Sequence, residues 1–219
     1  MQEEQLERLA QWSVGLDISG TAIQDAAQAR KIHIQDSLSG LEVAPLTAAE
    51  RIIDIGSGAG FPGLVLGVAL PDAQIVLLDS VRKKMEAAAQ IAAEMGLSNV
   101  ECVWGRAEEI AETGSPHREG YDVVTARALA PLAVLLEYAA PLLKIGGSLV
   151  AWKGSPSQEE LDAARAAEAE LGFETGELTE TEPFQGSTAR HFYVARKQFA
   201  TAEKYPRRAG VALKRPLGS

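Results

Sequence analysis

Residues 51–63 read Arg51-Ile-Ile-Asp-Ile-Gly-Ser-Gly-Ala-Gly-Phe-Pro-Gly63, and an apolar helix pattern follows at once. The β-branched Ile52, Ile53 and Ile55 predict a buried parallel strand. Gly56, Gly58 and Gly60 allow the backbone positive φ and a close approach to a ligand. Pro62 suits the first turn of a helix, where its missing N–H costs nothing, and Pro71 ends the helix that Leu64–Leu70 continues. Strand, glycine loop and helix start together form a cradle of nucleotide size.

Two ligands compete for that loop. Gly58-Ala-Gly60-Phe-Pro-Gly63 matches the G-x-G-x-x-G dinucleotide fingerprint literally, which makes an NAD-binding oxidoreductase one reading. In that fingerprint the first glycine directly follows the strand, whereas here Asp54 and Gly56 come earlier. A carboxylate at the strand's end is repelled by a pyrophosphate but suits a ligand carrying an ammonium and a sulfonium. Asp54-x-Gly56-x-Gly58-x-Gly60 therefore favours S-adenosylmethionine. A ligand-free strand-to-helix turn is the bland alternative.

The 219 residues can form one domain with a sizeable core. Hydrophobic content of 46% and charged content of 23% are those of an ordinary globular protein. No apolar run reaches membrane-helix length, and Met1-Gln-Glu-Glu4 lacks the features of a signal peptide, so the expected compartment is the cytoplasm. The single cysteine, Cys102, excludes an intramolecular disulfide and a multi-cysteine metal site, and no metal is expected. The net charge of −9 argues against nucleic acid until its distribution is considered. Residues 196–219 hold seven Lys or Arg and one Glu, so this tail carries +6 and the remainder −15. Such asymmetry suggests a basic tail with a function, or merely a solvated one.

In chain order, residues 2–11 and about 21–38 read as helices, the second carrying His33 and Ser37 on one face. Pro45 and Thr47 open a loop into the central strand. Ile75–Asp79 is a second strand whose terminal acid can accept bonds from ribose hydroxyls or cap a helix. A helix over Val81–Met95 leads to a strand over Val100–Trp104. The loop after it, Gly105-Arg-Ala-Glu108, could read an adenine edge. Strands follow at Tyr121–Arg127 and Ser148–Lys153, with a helix over Pro131–Ala140 and a turn at Lys144–Gly147. Ser157–Leu171 is a helix with Glu160 at the capping-box position. Phe173–Glu182 and His191–Lys197 close the chain as an antiparallel pair. The reading is α/β: one doubly wound, Rossmann-like sheet with an antiparallel edge hairpin. A helical cap (1–45), the core (46–199) and the basic tail (200–219) are its parts.

Asp54–Gly63, Leu78-Asp-Ser80, Arg106-Ala-Glu108, Arg127-Ala128, Lys153-Gly154, Tyr205–Gly210 and the block His33-Ile-Gln-Asp-Ser37 together resemble the bacterial small-subunit ribosomal RNA guanine-N7 methyltransferases, the RsmG (GidB) family. The Phe-Pro-Gly extension of the loop is the most specific element. The resemblance implies a class I S-adenosylmethionine-dependent methyltransferase acting on a guanine of the 530 loop of 16S ribosomal RNA, as naked RNA or a small-subunit precursor, and working as a monomer. It implies that Asp54, Gly56, Gly58, Gly60 and Phe61 line the cofactor site, Asp79 holds the ribose, and Ala107 and Glu108 hold the adenine. Arg127 would lie beside the methyl-transfer site and position the substrate, with His33 a further catalytic candidate. Lys153, Lys204, Tyr205, Arg207, Arg208, Lys214 and Arg215 would contact RNA. The sequence departs from the family at Ser19-Gly20-Thr21, where Asn-Leu-Thr is usual, and at Ala212, where proline is usual.

Chemistry favours N7 independently. The Asn/Asp-Pro-Pro-aromatic motif of exocyclic-amine methylation is replaced here by Thr125–Pro131, and Cys102 sits inside a strand rather than where a C5-methylating nucleophile would. Guanine N7 offers a lone pair without a proton, so alignment alone suffices. A small-molecule methyltransferase and an inactive RNA-binding module remain the other readings.

Overall fold

The computed structural model describes residues 2–15 and 23–218; the departure at Ser19-Gly20-Thr21 lies outside the described residues. The strands are β1 (Arg51–Ile55), β2 (Gln74–Asp79), β3 (Val100–Trp104), β4 (Tyr121–Arg127), β5 (Leu143–Lys153), β6 (Glu177–Glu180) and β7 (His191–Arg196). They form one sheet in the order β3-β2-β1-β4-β5-β7-β6. β1 to β5 are parallel, and β7 runs antiparallel between β5 and β6. An all-parallel dinucleotide-binding sheet lacks that inserted strand, so the order departs from the NAD reading. The chain reverses direction across the sheet between β1 and β4, which opens a crevice at the strands' C-terminal ends.

Alternate residues of the strands feed two apolar layers. On one face Ile52, Ile75, Leu77, Val123 and Val150 pack with α1 (Gln2–Trp12), α5 (Gly63–Ala69) and α6 (Arg82–Glu94). The same layer takes in the cap. There α2 (Ala26–Ala29), a π-helical turn (Arg30–Gln35) and α3 (Asp36–Leu38) run on as one helix, followed by a 3-10 turn (Ser39–Glu42) and α4 (Ala44–Thr47). On the other face Ile53, Ile55, Val124, Ala126 and Ala151 pack with α7 (Ala107–Ile110), α8 (Leu132–Ala139), α9 (Gln158–Leu171) and α10 (Val211–Lys214).

Local departures from the sequence reading have physical causes. The helix begins at Ala26, where the Asp25 carboxylate accepts the Gln28 N–H at 2.9 Å. Pro45 starts α4 rather than a loop, as proline can in a first turn. Lys144–Gly147 belongs to β5 and pairs irregularly with β4 between Tyr121 and Val123. A Cβ on Gly147 would lie 2.8 Å from the Asp122 carbonyl oxygen, so the glycines mark a bulge, not a turn. Ser157 caps α9, but Glu160 does not reach back to it. Its carboxylate accepts from Lys153 at 2.7 Å and from the Leu132 N–H at 2.9 Å.

The basic tail is docked rather than merely solvated. Among residues 200–218, Tyr205 and Ala212 are buried in the core layer under α8 and α9. Arg118 donates to the carbonyls of Thr201 and Tyr205, and Arg207 forms a two-pronged pair with the buried Glu137 of α8. Arg207→Ala would strand that carboxylate without a partner and should lower stability by about 2–4 kcal/mol. Arg208→Ala, at an exposed neighbour, should stay within about 0.5 kcal/mol. Denaturant titration of the two variants distinguishes a docked tail from a loose one, since a loose tail gives equal midpoints.

Candidate functional site

The glycine loop is tied down at both ends by carboxylates. Asp54, fully buried at the end of β1, accepts the Gly63 N–H at 2.9 Å on one oxygen and the Thr125 hydroxyl at 2.9 Å on the other. Asp79, at the end of β2, accepts the Gly58 N–H at 2.9 Å and the Val81 N–H at 2.8 Å. Gly56 and Gly58 have φ of +64° and +59°. A Cβ on Gly58 would meet nothing within 4 Å, so open space lies above the loop there. Asp54 itself does not line that space, contrary to the expectation that its charge faces a cationic ligand. Its bonds to Gly63 and Thr125 turn it inward. Gly60 also lies beneath the surface, where a Cβ would come within 2.5 Å of Leu64.

The space is a cavity of about 540 Å³. Gly56, Gly58, Phe61 and Asp79 wall one side, Arg127 and Lys153 another, and His33 and Asp36 of the cap a third. The π-helical turn carries His33 into this position, a break in helical period that apolar spacing does not reveal. The His33 ring stacks on Phe61 with centroids 5.0 Å apart, and the Arg127 guanidinium lies 5.9 Å from the same ring centroid. His33 is buried and neither ring nitrogen has a hydrogen-bond partner among the described residues. Burial first, and then the Arg127 charge, lower its pKa to about 4. Arg127 Nη1 donates to Asp36 at 2.9 Å and to the Ile32 carbonyl at 3.2 Å, so this side chain also fastens the cap to β4.

A second cavity, of about 150 Å³, shares Gly56, Asp79, Leu129 and Ala130 with the first. Ala107 and Glu108 line it, as does Leu213 of the tail, which sequence reasoning missed. Glu108 is buried and accepts the Gly210 N–H at 2.8 Å, so the tail closes this side. Leu129 lies over Gly56, between the two spaces. Arg190, Trp152 and Lys84 also wall the main cavity; no motif marked them.

The RNA-contacting candidates divide. Lys204 pairs with Glu170, and Tyr205 is buried with its hydroxyl donating to Glu170 at 3.2 Å, so Tyr205 is not free to stack on a base. Arg207 is held by Glu137, and Lys153 is paired with Glu160 at the cavity wall. Arg208, Lys214 and Arg215 are exposed.

Two measurements test this geometry. Gly58→Ala should fold, at about 1 kcal/mol for the left-handed backbone, but lose ligand affinity because its methyl enters the open space. Gly63→Ala should fail in folding itself, since a Cβ there lies 2.1 Å from Leu77. Equal melting temperatures for the two would contradict the packing. Asp54 is raised to about 7, chiefly by burial, against bonds from Thr125 and Gly63 that lower it. A folded-state pKa above the ordinary 3.8 stabilises below that value, and the contribution is lost as pH rises through about 7. Asp54→Asn should therefore gain stability on the wild type between about pH 4 and 7, and a constant difference would overturn the assignment.

The model of the GidB family, described as rRNA small subunit methyltransferase G, matches residues 3–192. The chain is 46% identical over 188 residues to the Ribosomal RNA small subunit methyltransferase G of Deinococcus radiodurans, covering 84% of this chain and 73% of that protein. It is 39% identical over 217 residues to the protein of the same name from Symbiobacterium thermophilum, covering 97% and 87%. Among solved structures, a SAM dependent methyltransferase from Aquifex aeolicus aligns with TM-score 0.56 at 17% identity over 74% of this chain and 89% of that one. A mutant of MtNAS in complex with S-adenosylmethionine aligns with TM-score 0.59 at 15% identity over 90% and 73%. These two share the α/β methyltransferase fold. By sequence over most of its length, the chain belongs to the GidB family, rRNA small subunit methyltransferase G.

Proposed function

We propose that this rRNA methyltransferase transfers a methyl group from S-adenosylmethionine to N7 of a guanine in the 530 loop of 16S ribosomal RNA. One observation carries the reading: a single cavity at the strands' C-terminal ends gathers the glycine loop, Asp79, Arg127 and His33. The donor set fits the cofactor. One Asp79 oxygen spends a lone pair on the Gly58 N–H and the other on the Val81 N–H, and each keeps another for a ribose hydroxyl. The space over Gly58 is open, and the smaller cavity beside Glu108 offers an acceptor of the kind an adenine amino group requires. When bound, S-adenosylmethionine supplies an electrophilic methyl group.

What remains for the protein is alignment. Arg127 uses only Nη1 in its bonds to the cap, so its other donors are without partners among the described residues. A guanidinium that gripped O6 and N7 together would block the nucleophile. Arg127 therefore engages O6 alone, or a phosphate, and leaves N7 free. Neutral N7 has no proton to lose, so no general base is needed. With a pKa near 4, His33 stays uncharged above pH 6 and serves as wall rather than base.

The single-turnover rate at saturating RNA and cofactor should thus be nearly flat from about pH 6 to 9. Asp54 titrates within that range, but its Gly63 bond survives protonation and the Thr125 hydroxyl can reverse from donor to acceptor. A tenfold fall per pH unit on the acid side, abolished by His33→Gln, would make His33 catalytic and reject alignment-only transfer. Mapping N7-methylguanine in ribosomal RNA from cells with and without the protein tests the site. An unchanged 530 loop would refute it.

A further inference from the structure

We propose that the rim formed by the first turn of α6 and the end of β3 docks a single-stranded segment of RNA, with a base stacked on Trp104. The inference rests on the RNA substrate proposed above and adds a surface that borders the cavities and extends beyond them. Arg82, Lys83 and Lys84 are all exposed and occupy the first turn of α6, which contains no acidic residue. A helix N-terminus carries partial positive charge, so three cations there oppose the dipole and one another. That arrangement is unfavourable for the free protein and favourable once phosphates arrive. It stands out further in a chain of net charge −9. Arg82 has an exposed partner in Glu86 at 3.0 Å, whereas Lys83 and Lys84 have no ion-pair partner among the described residues.

Trp104 supplies an independent observation. It is 60% exposed, an uncommon state for the largest aromatic side chain. Its indole N–H donates to the Ser80 carbonyl at 3.1 Å, and the Arg82 guanidinium lies 5.4 Å from the ring centroid. The ring's one polar group is thus satisfied and its orientation fixed, while most of its apolar surface meets water. A fixed, exposed aromatic ring beside a guanidinium, next to a helix start carrying two unpaired lysines, is the combination that binds single strands, bases stacking while phosphates meet Lys and Arg.

The position connects this surface to the chemistry. Trp104 pairs with Asp79 across β2 and β3, Lys84 walls the main cavity, and Arg106 walls the smaller one. A strand lying along the rim passes directly beside the cavity into which its guanine must turn.

The test compares Lys83→Glu and Trp104→Ala with the wild-type chain, neither residue lining a cavity. Binding of naked 16S ribosomal RNA is measured across a salt series, and S-adenosylmethionine binding by calorimetry. Each variant should lose roughly tenfold in RNA affinity, and Lys83→Glu should flatten the salt dependence by about one counterion or more. Cofactor affinity should stay within twofold, and Trp104→Phe should recover much of the loss. Unchanged RNA affinity in both folded variants would overturn the docking surface while leaving the methyltransferase reading intact. An equal loss of cofactor affinity would also overturn it, by placing the rim in the cofactor wall. A wild-type chain with no affinity for this RNA would overturn both.

Discussion

The Asp54 carboxylate, sealed beneath the glycine loop, is the constraint on which the remaining architecture depends. Its two oxygens join three elements: β1 that carries it, α5 through the Gly63 N–H, and β4 through the Thr125 hydroxyl. The loop between β1 and α5 can then lie flat, with Gly58 pinned from the other side by Asp79. Burying a carboxyl so completely is costly, and the rise of its pKa to about 7 records that cost. The arrangement tolerates either protonation state because a hydroxyl partner can donate or accept. A lysine or backbone partner on both oxygens could not do so.

The sheet was legible in the sequence because parallel strands are buried on both faces and read as continuous apolar runs. Ile52, Ile53 and Ile55, or Ile75–Leu78, admit few other interpretations. The glycine loop and the acid ending β2 were legible for a related reason, since both are fixed by local backbone geometry. What escaped was whatever depends on the partner rather than the residue. Asp54 has the right spacing for a ligand and faces inward, because Thr125 lies 71 positions away in sequence and beside it in the sheet. Tyr205 and Arg207 looked free in a basic run, yet their acidic partners sit on α8 and α9. Leu213 and Arg190 enter the cavity walls with no motif at all. The π-helical turn that delivers His33 is likewise a tertiary product.

The same distinction changes what the charge asymmetry means. Of the cations that make the last 24 residues basic, Lys197 is fully buried against Glu119, Arg207 neutralises the buried Glu137, and Lys204 pairs at the surface with Glu170. Part of the tail's positive charge is thus a complement to acids of the body, and the Arg207–Glu137 pair helps fasten the tail to α8. A polyanion approaching this surface meets only the cations left over. Among the described residues these include Arg208, Lys214 and Arg215 on the tail, Arg106 after β3, and Lys83 and Lys84 at the start of α6. Leu213 and Arg106 wall one cavity, so the tail and the rim beside Trp104 border the same opening. On the function and docking surface proposed above, an acidic protein holds RNA at the mouth of its methyl-transfer site and repels it elsewhere.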